Sequence, residues 1–167
     1  MPMFHNIKTK KGAPIPFVLE VARYEEDAPV PGQFPVKELE YVDRCLLHAV
    51  ALKPSVVKKL LTASVAYSND FLDEVGEKRI DFKGDYRNVL KHIKPRNLII
   101  PELSTCSRRS KWYNVPTFQM ELSCEWEIEH GMEWVVRGDD VAFVGGCQFG
   151  DPFQRYEKLY NFVHPQK

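Results

Sequence analysis

Residues 129–131 read Glu-His-Gly. Histidine titrates near neutral pH and a neighbouring carboxylate favours its protonated form, so Glu129 and His130 have the types required of a general acid/base pair. The same three residues suit a tight turn, with polar side chains bonding local main chain and Gly131 supplying a positive φ. No nucleophile or second base is tied to His130 in the sequence, and the turn is the preferred reading. Just upstream, residues 118–129 alternate in character. Phe118, Met120, Leu122, Cys124, Trp126 and Ile128 fall on one side, and Gln119, Glu121, Ser123, Glu125, Glu127 and Glu129 on the other. A β-strand has this period of two, which sets Glu121, Glu125, Glu127 and Glu129 in one row. Like charges on one strand face repel unless something cationic lies opposite. The row is therefore either a solvated face or a docking surface for a basic partner. Glu121, Glu125, Glu127, Glu129 and His130 are the expected binding residues, and no catalytic residue is assigned.

Other ligand atoms are present without a pattern to organise them. Cys106, Cys124, His130 and Cys147 carry zinc-type donors, but structural zinc sites bring their ligands in closely spaced pairs, and no C-x-x-C occurs. The acidic residues form no twelve-residue calcium loop. Gly145, Gly146 and Gly150 make no G-x-G-x-x-G at a helix start. The expectation is a protein with neither metal nor cofactor. Cys45 and Cys124 fall at apolar positions, where free thiols act as small hydrophobes.

The formal net charge of the 167 residues is zero, which gives no general attraction to nucleic acid or to an anionic membrane. Its distribution is uneven. Residues 119–151 carry eight acidic side chains against Arg137 alone, while residues 1–118 carry 19 Lys+Arg against 14 Asp+Glu. Arg108, Arg109 and Lys111 beside Trp112 form a small basic cluster without a glycine-rich cradle, read as a solvated loop or a counterweight to the acidic row. No apolar run approaches the roughly 20 residues of a membrane span, and the first residues lack a secretory pattern. With reduced cysteines, a cytoplasmic protein is expected.

The elements that must position these residues change character near residue 95. A helix is expected from about residue 35, with Leu39, Val42, Leu46, Ala49 and Val50 as its apolar stripe. Pro54 ends or restarts it. A second helix follows through Val57, Leu60, Leu61 and Val65, and a short third starts at Asp85, a good N-cap, and stops before Pro95. Thereafter come strands: 98–100, the long strand 116–129, a turn at His130 and Gly131, then 134–136 and 141–144. Residues 1–34 read as an extended arm, with a strand near 17–21 and a turn near 28–32. The whole is expected to be an α+β fold: one domain over 1–167, helical over about 35–94 and an antiparallel meander over about 97–146, with the helices packed on the sheet.

Residues 124–131, Cys-Glu-Trp-Glu-Ile-Glu-His-Gly, together with Val144-Gly145, resemble the shared pattern of a family of small uncharacterised bacterial domains. That pattern runs Cys-x-Trp-Asp, then Glu-His-Gly-Leu-Gly, then a hairpin ending in a short Val-x-x-Val-Gly strand. Here Glu127 replaces the aspartate, Met132 the leucine and Glu133 a glycine. The resemblance implies an immunity protein of a polymorphic-toxin locus and carries no catalytic assignment. The leading expectation is thus a non-enzymatic, antitoxin-like protein that inhibits a basic toxin domain through its acidic surface. The alternatives are a small hydrolase or transferase using His130 and Glu129, and a structural or regulatory module.

Overall fold

The computed structural model describes residues 6–8, 14–16, 18–19, 36–148, 150–156 and 159–163. Much of the expected arm, including its turn near 28–32, lies outside them. Within it, Asn6–Lys8 (β1) pairs antiparallel with Pro14–Pro16 (β2), and the expected strand near 17–21 is present as Val18–Leu19 (β3).

Helix α1 spans Val36–Val50 and α2 spans Pro54–Glu74. Pro54 restarts the chain as the first residue of α2, where its missing N–H would have had no helical partner anyway. The buried face of α1 is centred on Tyr41 and Cys45 rather than on Leu39 and Val50, both of which are exposed. Tyr41 explains the rotation: its hydroxyl reaches across to donate to Val115 O at 3.2 Å. On α2 the buried residues include Leu60, Leu61, Ser64, Tyr67 and Leu72. The third helical segment is a 3-10 stretch, Tyr86–Lys91, capped by the Asp85 side chain on the Arg87 N–H.

Four consecutive strands then form an antiparallel meander: Ile93–Ile99 (β4), Thr117–Cys124 (β5), Met132–Arg137 (β6) and Asp140–Gly146 (β7). The fold is α+β, as the sequence implied. The sheet differs from the expectation in where it begins and in its edge strand. The sheet begins at Ile93 rather than near 97, because Pro95 is absorbed at an irregularity between Pro95 and Asn97 instead of delaying the strand. β3 adds a parallel edge beside β4, pairing Val18 with Asn97 and Leu19 with Leu98. Strand order is β3-β4-β5-β6-β7.

The sheet is covered on both faces. Phe118, Leu122, Met132, Val136 and Val144 pack with the helices, and Trp134 Nε1 donates to Ser64 Oγ of α2 at 2.9 Å. On the opposite face Val135 and Phe143 pack with Tyr156 from the C-terminal segment. That segment also lies along β7. Asn161 Oδ1 accepts the Val144 N–H at 3.3 Å, Asn161 Nδ2 donates to Ala142 O at 2.8 Å, and the Phe162 N–H donates to Val144 O at 3.0 Å. This second cover corrects the expectation of one wet face: Gln119, read as part of it, is buried, and so is Glu133 on β6.

Candidate functional site

The strand expected over 116–129 ends at Cys124, and residues 125–131 form the connection to β6. Its geometry follows from three local causes. The Glu125 N–H donates to His92 O at 3.0 Å, a last bond to the neighbouring chain. Trp126 then turns into the core, edge-on to Tyr67 with ring centroids 6.2 Å apart. Finally the carboxylate of Glu127 folds back under the turn. Its Oε1 accepts the N–H of Glu129 at 3.1 Å and of His130 at 3.0 Å, and Oε2 accepts the His130 N–H at 3.2 Å. A carboxylate gathering two main-chain donors fixes a turn much as an N-cap fixes a helix start. Gly131 closes it at φ +75°, with its α-carbon so near β5 that an added Cβ would stand 2.3 Å from Leu122 O. Only glycine fits there.

The expected acidic row is therefore not a row. Glu121 remains on β5, half-buried, and accepts Asn97 Nδ2 at 2.7 Å. Glu127 points inward and is buried, while Glu125 and Glu129 are exposed on either side of it. Glu125 Oε2 lies 2.7 Å from His92 Nδ1, joining the turn to the segment before β4. The structure brings Glu125, Glu127, Glu129 and His130 together and leaves Glu121 apart.

At the crest stands Ile128, 84% exposed. The alternation placed it in the core beside Trp126, which is 6% exposed. The turn reverses its side, because the Glu127 carboxylate takes the inward position that period two would have given to residue 128. A branched apolar side chain is thus presented to solvent on a held backbone, flanked by Glu125 and Glu129. Sequence reasoning missed both Ile128 and His92.

The chemistry available at this turn is limited. The ring of exposed His130 is paired with Glu127, its Nδ1 3.4 Å from Oε1, rather than with Glu129. The nearest thiol, Cys124, donates to Glu127 O at 3.3 Å, and burial pushes it up to about 12, far from a thiolate at neutral pH. Burial likewise raises the Tyr67 hydroxyl above its ordinary value. Among the described residues, no three His, Cys, Asp or Glu side chains are arranged to hold a metal ion, and no helix is long and apolar enough to cross a membrane.

A family model described as a domain of unknown function, DUF6985, matches residues 7–150. No curated protein and no solved structure matches the chain.

Proposed function

The chain belongs to the DUF6985 family of domains of unknown function, and we propose that it is a non-enzymatic binding protein, an immunity-type inhibitor of a basic toxin domain. One observation carries this reading: Ile128 stands 84% exposed on a turn that Glu127 and Gly131 hold in place, with Glu125 and Glu129 beside it. Interfaces draw their energy from a few apolar anchors that enter a partner pocket within a polar rim. A pre-set backbone lowers the entropy lost on docking. The flanking carboxylates favour a pocket rimmed by Lys and Arg and speed encounter with it. Immunity through this surface needs occlusion of the toxin and no bond-making. The acid/base reading has less support, because the carboxylate nearest His130 is committed to main-chain N–H groups.

The test is to co-express the chain with each product of its adjacent genes in a growth assay, then measure binding to any toxic product it neutralises. The wild-type chain rescues growth. Combined replacement Ile128→Ser, Glu125→Gln and Glu129→Gln abolishes rescue and binding while leaving thermal unfolding unchanged. If no adjacent product is toxic, or the triple variant rescues fully, the reading fails.

A further inference from the structure

Arg108, Arg109 and Lys111 do not counterweigh the acidic turn within one molecule. They precede the first residue of β5, Thr117, and the turn follows its last, Cys124. Eight residues at about 3.3 Å each set the two ends of β5 roughly 25 Å apart. Exposed charges are screened beyond about 8 Å at physiological salt, so neither end neutralises the other. All three cations are exposed, and none is in an ion pair among the described residues.

The loop that carries them is held as firmly as the turn. The Ser110 N–H donates to Ser107 O at 2.8 Å, and the Tyr113 N–H donates to Ser110 O at 3.0 Å. The hydroxyls of Ser107 and Ser110 accept the N–H groups of Arg109 and Trp112 at 3.3 and 3.1 Å. From α1, Arg44 donates to Asn114 O at 3.0 Å and to Asn114 Oδ1, holding that residue at φ 62°. The Trp112 ring lies 5.6 Å from Cζ of buried Arg137 and 4.5 Å from Lys111 Nζ. Trp112 and Tyr113, both half-buried, therefore place aromatic surface among the cations. The two ends of β5 are complementary. One offers an exposed aliphatic side chain between carboxylates, and the other offers aromatic surface between cations.

We infer that residues 107–113 are a docking surface for the acidic turn of a second copy of this chain. Ile128 of one copy seats against Trp112 and Tyr113 of the next, with Glu125 and Glu129 facing Arg108, Arg109 and Lys111. Complementary charge speeds encounter and sets the register, while the apolar contact holds the joint. A net charge of zero leaves no overall repulsion between copies, and it gives no general pull toward nucleic acid. The turn used here is the one assigned above to a toxin, so the two partners exclude one another. The inference itself needs no toxin.

The experiment is sedimentation velocity of the purified full chain over a concentration series. It is run at about 10 mM salt, where the Debye length is about 30 Å, and at about 1 M, where it is about 3 Å. We expect the wild type to associate as concentration rises at low salt and to be monomeric at high salt. The loop variant Arg108→Glu/Arg109→Glu and the turn variant Glu125→Lys/Glu129→Lys each associate about tenfold more weakly or less, as does Ile128→Ser, which disturbs no hydrogen bond. Mixed in equal amounts, the two charge variants associate again, because the native turn of the first meets the native loop of the second. Ile128→Ser in both partners weakens that mixed association. A wild type that stays monomeric, with or without nucleic acid on its loop cations, would overturn the inference. So would a loop variant that associates like the wild type, or a mixture that stays monomeric or ignores Ile128→Ser. No toxin enters the assay, so its outcome and that of growth rescue are read separately.

Discussion

Glu127 and His130 lie side by side, and the glutamate serves the histidine's main chain before its ring: Oε1 accepts the His130 N–H at 3.0 Å, whereas ring Nδ1 stands at 3.4 Å. A catalytic dyad would reverse that order, with the carboxylate orienting the imidazole. Here the carboxylate orients backbone, and the ring remains in solvent.

Glu127→Ala should therefore cost about 1 kcal/mol, the scale of losing a side-chain cap on main-chain N–H groups. Glu127→Gln keeps one carbonyl oxygen in place and should lose clearly less. Urea denaturation of the two variants measures the difference. Equal losses would mean that charge, not acceptor geometry, holds the turn.

Two glycines with nearly the same φ make a matched test. Gly76 sits at φ +74° with nothing within 4 Å of an added Cβ, and Gly131 sits at φ +75° with Leu122 O at 2.3 Å. Gly76→Ala should cost about 1 kcal/mol, the left-handed penalty alone. Gly131→Ala should cost distinctly more, since the obstructing atom is main chain of β5 and cannot rotate away. Comparable denaturation midpoints would contradict the close approach.

Trp126 and Ile128 share the parity of a strand and differ completely in surroundings. Trp126→Ala should destabilise by about 3–5 kcal/mol. Ile128→Ala should stay within about 0.5 kcal/mol of the parent, as exposed positions do. Thermal unfolding of both separates a structural tryptophan from an isoleucine whose value lies in what it can touch.

Stability should fall in alkaline solution. Burial pushes the thiols of Cys124 and Cys147 and the hydroxyl of Tyr156 up to about 12. Each folded value lies above that of the unfolded chain, so the folded state retains these protons more tightly. Their contribution is complete below the ordinary thiol and phenol range and is lost as pH rises from about 9 through about 12. A urea midpoint falling across that window, with slow Cys124 labelling by a thiol reagent at pH 8, is the expected result. A midpoint flat to pH 11 would contradict it.

The local parts of this fold are legible in the sequence because local rules govern them. Pro54 marks the start of α2, Asp85 caps the 3-10 stretch, and alternation from Phe118 to Cys124 describes β5. The end of β5 is not legible, because letters alternate through Glu129 while the backbone obeys the Glu127 carboxylate and the φ of Gly131. Side-chain identity could not show that a glutamate would fold under its own turn. His92 and Glu125 are 33 residues apart, and no spacing rule joins them. The buried state of Gln119 and Glu133 depends on a segment that returns from after β7 without a strand or helix period of its own. The turn at His130 and Gly131 was legible, while Ile128 at its crest was assigned to the wrong side.

Asn161 has a consequence for the molecule in a crowded solution. An outermost strand carries unpaired main-chain groups, a ready template on which another chain can add. By meeting Val144 and Ala142 with an amide side chain, and Val144 O with the Phe162 N–H, the protein covers the β7 edge with no further strand there among the described residues. The last rung is imitated by one amide side chain and one main-chain N–H, which offer no ladder to extend. Growth by lateral addition stops at Asn161, and a chain deprived of it should form sheet-rich aggregates as its concentration rises.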